Sequence, residues 1–154
     1  PKGYTPPPEL LDFFASGVPP ICLTFSSVEC WDGTVPWAEA LLDVLQGLVS
    51  QDFRLLGLGQ KPARVREWPY TLWLDSSPHA FCFPHCKFII HHGGAGTTAA
   101  AVIARVPAII VCPMYWLDMQ RYGMWVERNS AGICLQRRDK EEYEKAIHRI
   151  QTDE

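Results

Sequence analysis

Short, unbroken apolar runs that alternate with segments of helical period limit the folds open to this chain more than any other feature. Residues 21–25, 53–58, 70–74, 88–90, 108–111 and 132–135 are short and largely apolar, with little polar alternation. A strand of that kind has both faces covered, which is the mark of a parallel sheet between helices. Between these runs, Ala38, Leu41, Leu42, Leu45, Leu48 and Val49 recur at helical spacing over residues 37–49. Residues 95–104 are rich in alanine, residues 118–129 read as a further helix, and Asp139 can cap a last one. Glu142 lies three residues beyond that cap, and Glu141 with Lys145 forms a helical ion pair behind it. The pattern predicts an α/β domain with a Rossmann-like, doubly wound parallel sheet, and places ligands at the carboxyl ends of the strands.

This domain is expected over residues 20–154. Residues 1–19 hold five of the 13 prolines and read as a linker, with a short helix over residues 9–15. The chain does not begin with Met, so it is expected to be a piece of a longer or processed protein. Its 154 residues suit one core, and a charged fraction of 20% with a net charge of −3 offers no basic footprint for nucleic acid. No run approaches the roughly 20 apolar residues needed to span a bilayer. Cys22, Cys112 and Cys134 lie inside apolar runs and read as small buried hydrophobes of a reducing compartment. Cys82 and Cys86 bracket His85, yet no second cysteine pair completes a zinc set.

Function concentrates in Phe88-Ile89-Ile90-His91-His92-Gly93-Gly94-Ala95-Gly96-Thr97-Thr98. A strand ends at the histidines, a glycine-rich turn follows, and a helix begins near Ala95. Unpaired N–H groups and the positive helix end then meet at the strand's carboxyl edge, where a phosphate or diphosphate binds well. Thr97 or Thr98 can add a hydroxyl. One histidine, His91, is expected to face the core and the other, His92, the ligand. Gly94-Ala95-Gly96-Thr97-Thr98-Ala99 also fits the dinucleotide fingerprint, but that motif belongs to the first strand–helix unit and this is about the fourth strand. No Lys follows the glycines, so a Walker A loop is excluded.

His91-His92-Gly93-Gly94-Ala95-Gly96-Thr97-Thr98 resembles the signature of the sterol and antibiotic glucosyltransferases, within the UDP-glycosyltransferases of the GT-B fold. The resemblance covers roughly residues 5–135. It includes Thr5-Pro6-Pro7-Pro8-Glu9-Leu10-Leu11 before Pro20-Ile21-Cys22-Leu23-Thr24-Phe25-Ser26-Ser27. It continues through Pro78-His79 with Phe83-Pro84, the histidine–glycine turn fourteen residues after Pro78, Arg105-Val106-Pro107 and Pro113. The family likeness implies the C-terminal half of a GT-B fold, with His92, Gly94, Ala95, Gly96 and Thr97 on the donor's diphosphate. It places Ser27 near the phosphates, Pro78 and His79 beside the uracil, and Asp118 with Gln120 on the sugar hydroxyls.

Three positions depart from the family. Ser26 stands where a glycine is usual, Met119 separates Asp118 from Gln120, and Ser76 lies where plant relatives stack a Trp on uracil. Trp73, three residues earlier, reads as core. The resemblance implies a UDP-sugar donor, UDP-glucose by the family's habit, no metal cofactor, and a lipid or sterol-like hydroxyl acceptor. The partner it implies is an N-terminal acceptor-binding domain, in cis or in trans, that carries the general base. For the full-length parent it implies a cytoplasmic location, with room for peripheral membrane association. A chain of this kind is expected to bind donor and to be inactive alone. The alternative is a non-catalytic donor-binding subunit, or a degenerate half that acts only with a partner chain.

Overall fold

The computed structural model describes residues 3–25, 30–112 and 117–152. Six strands form one parallel sheet: β1 (Ile21–Thr24), β2 (Leu55–Leu58), β3 (Thr71–Leu74), β4 (Ile89–His91), β5 (Ala108–Ile110) and β6 (Gly132–Cys134), in the order β3-β2-β1-β4-β5-β6. Among the described residues six α-helices accompany them: α1 (Pro8–Ala15), α2 (Pro36–Leu48), the single turn α3 (His79–Cys82), α4 (Ala95–Ala104), α5 (Leu117–Arg128) and α6 (Lys140–Thr152). The doubly wound α/β class expected from the sequence is the class observed.

Alternate residues of each strand feed two separate cores. Ile21, Leu23, Leu55, Ile90, Ile109 and Ile133 face α2 and α6, where Leu41, Leu42, Leu45, Tyr143 and Ile147 are buried. Cys22, Leu56, Ile89, Ile110 and Cys134 face the other way, onto Leu10 of α1, Phe83, Ala101 of α4 and Val126 of α5. Pro36 starts α2 at a position where its missing N–H costs nothing. Asp139 caps α6 by accepting the Glu142 N–H at 3.0 Å, and Lys145 reaches Glu141 at 2.6 Å. The Tyr143 hydroxyl donates to the Trp37 carbonyl at 3.1 Å and ties α6 to α2.

Three strands begin later than their apolar runs, β4 by a single residue, at Ile89. Phe53 exchanges backbone hydrogen bonds with Ser50 in a tight turn, so β2 starts at Leu55. Tyr70 adopts a left-handed φ of 53°, so β3 starts at Thr71. Trp73 packs with the core, as expected: its ring lies over Gly57, and its Nε1 donates to the Gly59 carbonyl at 2.7 Å.

The proline-rich start carries its short helix and lies packed on the sheet domain. Leu10 is fully buried, and the Tyr4 hydroxyl is 2.7 Å from the Ser77 hydroxyl. Arg54, itself buried, donates to the carbonyls of Val18 and Phe13 and to the Ser16 hydroxyl, and its guanidinium stacks 4.0 Å from the Phe13 ring. A buried cation so fully bonded holds residues 13–18 against β2.

Candidate donor site at the carboxyl edge of the sheet

The strand order reverses between β1 and β4, and the crevice beyond their carboxyl ends is where ligands of open α/β sheets bind. The glycine-rich turn that follows β4 lies at this point. Its three glycines serve three different needs. Gly93 has a φ of 92°, and an added Cβ would lie 2.9 Å from Ile110 Cγ2 and 3.2 Å from the Met119 carbonyl oxygen. At Gly94 an added Cβ would come within 2.5 Å of His92 Nε2. Gly96 has ordinary helical geometry, and an added Cβ would meet nothing within 4 Å among the described residues.

Gly94 caps α4 with extended dihedrals, and its carbonyl accepts the Thr98 N–H at 2.9 Å. The N–H groups of Ala95, Gly96 and Thr97 therefore precede the first intrahelical bond and lack partners in the helix. Ala95 and Gly96 are exposed. The Thr98 hydroxyl donates back to the Gly94 carbonyl at 2.9 Å, so of the two threonines it is Thr97 whose hydroxyl remains uncommitted among the described residues.

Both histidines are buried, His91 fully and His92 to 4% exposure, so burial alone does not separate their roles. Their contacts do. The His91 Nδ1 accepts the Gly93 N–H at 3.1 Å, inside the turn. The His92 ring instead lies over Gly94 at the mouth of α4. The Thr24 backbone acts on the His92 ring in the direction that favours its protonated form, and Nδ1 has no hydrogen-bond partner among the described residues. Burial pushes His91 down to about 3, with smaller contributions from His92 and His79. Burial also lowers His92 and His79 below the ordinary imidazole range. The turn is therefore lined by neutral imidazoles near pH 7.

Pro78 is the N-cap of α3, with its carbonyl accepting the N–H groups of Phe81 and Cys82 at 2.9 and 3.1 Å. His79, expected in a loop, opens that helical turn and stacks on Phe83 at 4.6 Å. Its electrostatic effect on His91 and His92 puts the start of α3 on the same edge. Asp118 and Gln120 are both exposed on the first turn of α5, while Met119 between them is buried against Gly93. Residues two apart on a helix point roughly 200° away from each other, so these two do not share a face. Ser27, expected near the phosphates, and Pro113 lie outside the described residues.

The other sequence motif resolves into packing. Cys82 Sγ donates to the Ser77 hydroxyl at 3.1 Å and Cys86 Sγ to the Cys82 carbonyl at 3.2 Å. All six cysteines are buried free thiols. A cavity of about 850 Å³ opens at the opposite, amino edge of β5 and β6, lined by Arg105, Pro107, Glu127 and Gly132 among others, and holds none of the residues above. Two contacts of the site escaped the sequence reading: the bond from Gly93 to His91 and the packing of Met119 on Gly93. The first has a local signal, a nitrogen acceptor two residues before a glycine amide. The second is purely tertiary.

This strand order, with a phosphate-type turn after the fourth strand, defines a Rossmann-like domain of the kind found as the C-terminal half of GT-B glycosyltransferases. Solved structures that share it include Os79 from O. sativa in complex with UDP, with a TM-score of 0.76 at 17% identity over 96% of this chain and 35% of that one, and the glycosyltransferase SnogD from Streptomyces nogalater, with a TM-score of 0.73 at 22% identity over 98% and 39%. At such identities the likeness is one of fold. A sterol 3-beta-glucosyltransferase of Arabidopsis thaliana is 35% identical over 136 residues, which is 85% of this chain and 20% of that protein. The 10-deoxymethynolide desosaminyltransferase of Streptomyces venezuelae is 37% identical over 96 residues, 60% of this chain and 22% of that protein. Residues 57–154 match the model of the erythromycin biosynthesis protein CIII-like C-terminal domain, and the chain belongs to that family. It spans about a fifth of the length of these two relatives, and 11% of the sterol 3-beta-glucosyltransferase of Yarrowia lipolytica.

Proposed function

We propose that this chain binds a UDP-sugar, UDP-glucose by analogy with its sterol glucosyltransferase relatives, as the donor half of a glycosyltransferase acting on a lipid or sterol-like hydroxyl. The observation that carries this reading is the open turn at Gly96, where free N–H groups of α4 meet the crevice at the strand reversal. The UDP seen with a protein of the same fold supports the choice of nucleotide. NAD is disfavoured because the glycine turn follows β4 and not β1.

In sugar transfer the acceptor oxygen bonds to the anomeric carbon as the bond to the diphosphate breaks, and negative charge grows on the departing diphosphate. Fixed N–H groups, the positive end of α4 and a hydrogen-bonding imidazole at His92 stabilise charge where it develops. Pro78 and His79 would border the uracil. The acceptor hydroxyl still needs a base. That base is assigned to an N-terminal acceptor-binding domain, in the same chain or another, so this chain alone should transfer no sugar.

Isothermal titration with UDP, UDP-glucose and NAD tests the reading. UDP should bind, NAD should not, and UDP-glucose should bind less than tenfold more tightly than UDP. His92→Ala should weaken UDP by about 1–3 kcal/mol, one hydrogen bond to a charged group, without unfolding the domain. Binding of NAD in preference to UDP would overturn the assignment.

A further inference from the structure

We propose that His91 is the positioning residue of the phosphate turn, holding the Gly93 peptide through Nδ1 so that the free N–H groups of α4 face the donor's diphosphate. The inference rests on the donor-binding reading above and adds to it a residue that touches no ligand. Gly93 is the point at which the chain leaves β4 with a φ of 92° and turns into the N-cap of α4. Glycine is the least constrained residue, so its own backbone does not hold that geometry. The Gly93 N–H donates to His91 Nδ1 at 3.1 Å, and the ring that accepts it is fully buried, where such a bond is least exposed to competition from water.

The bond fixes the tautomer. Nδ1 must offer its lone pair, so the ring proton sits on Nε2, which is buried and has no hydrogen-bond partner among the described residues. A side chain present only to fill this space would carry no stranded N–H, and leucine would fill much of it without that cost. What the imidazole supplies is an acceptor two residues before the amide, the geometry an asparagine side chain makes in a local turn. Asn Oδ1 and His Nδ1 stand the same number of bonds from Cα, whereas Leu presents a methyl group there.

His91→Asn and His91→Leu put the same branched skeleton of four side-chain heavy atoms in place of the ring and differ in that acceptor. UDP titration of both variants, each with a melting curve, tests the proposal. His91→Leu should weaken UDP about tenfold or more, His91→Asn should stay within about threefold of the parent, and the two should melt at similar temperatures. Equal UDP affinity in two folded variants would overturn it, whether both bind well or both poorly. If His91→Leu does not fold, 15N NMR of the parent imidazoles decides: a proton on His91 Nδ1 overturns the proposal, and a proton on Nε2 supports it. A parent chain that fails to bind UDP at all would remove the donor-binding reading first, and this inference with it.

Discussion

Strands β2 and β4 flank β1 on either side, and both run into glycines, yet the two sets of glycines do opposite work. At Gly57 the space a side chain would take is filled by the Trp73 ring, 2.1 Å from where a Cβ would stand, and the Gly59 carbonyl is bonded to the same indole. At Gly96 no described residue fills the corresponding space. One region has closed on itself with a side chain from the neighbouring strand. The other presents bare backbone N–H groups at the positive end of a helix. Identical residues thus report packing in one place and room for something outside the chain in the other, and only the neighbours tell them apart.

Valine at each glycine should break the comparison most sharply. Gly57→Val drives a branched side chain into the Trp73 ring and should lower Tm on the order of 5–10 °C through overpacking. Gly96→Val should leave the melting curve within a degree or two, because the site is open, helical in its dihedrals and better suited to Val than to Gly by propensity. No forbidden dihedral arises there, contrary to what a glycine in a phosphate turn invites one to expect. The valine would instead cover the N–H groups, and UDP binding should fall below detection in calorimetry. A folded Gly96→Val chain with normal UDP affinity would remove the phosphate turn from the site.

Acid should separate the two regions next. His91, His92 and His79 gather at the open turn, and all three are lowered by burial. For His91 the sign is direct: the folded ring resists protonation down to about 3, whereas the unfolded ring takes a proton near 6.5. The stability is therefore complete above pH 6.5 and declines as pH falls from there toward 3, by up to about 1.4 kcal/mol per pH unit from this group. His92 and His79 act in the same direction. Urea titrations between pH 7.5 and 5 should show the decline, and His91→Asn should flatten it. Amide exchange should rise first around residues 91–97 while β2 and β3 stay protected; a flat stability profile over this range would contradict the assignment.

The six strands were legible because each is short, apolar and covered on both faces, and Trp73 could be read as core from its place in such a run. The strand starts at β2 and β3 were not, since they depend on a Ser50–Phe53 bridge and a left-handed Tyr70 that no apolar pattern encodes. Within the site, the spacing of His92, Gly94, Gly96 and Thr97 gave the turn. It could not distinguish Gly94, closed by the His92 ring, from Gly96, open to the crevice. Nor could it show that Thr98 spends its hydroxyl on its own helix while Thr97 does not. Those distinctions turn on where the His92 ring and the Thr98 hydroxyl settle within the folded turn, which residue types and spacing do not specify.

The smallest effect should come from α5, whose first turn borders the open region through Met119. Met119 points into the core, so Asp118 and Gln120 lie to its two sides, roughly 100° each way around the helix. The turn at Gly93 meets Met119 between them, so at most one of those sides can border the crevice. One of the pair can then meet a donor sugar and the other faces away, unlike two adjacent residues, whose directions differ by only about 100°. In Asp118→Ala and Gln120→Ala, UDP affinity should stay within about twofold, since the family resemblance places this pair on the sugar and not on the nucleotide. UDP-glucose affinity relative to UDP should fall in one variant only, by about 2- to 12-fold, the worth of one hydrogen bond of 0.5–1.5 kcal/mol. Competition calorimetry with the two ligands reads this difference directly. Equal losses in both variants, with the double variant no worse than either, would mean that both side chains act on one sugar. That outcome requires the first turn of α5 to unwind on binding, and it would extend the open region of the comparison from the β4–α4 turn to the start of α5.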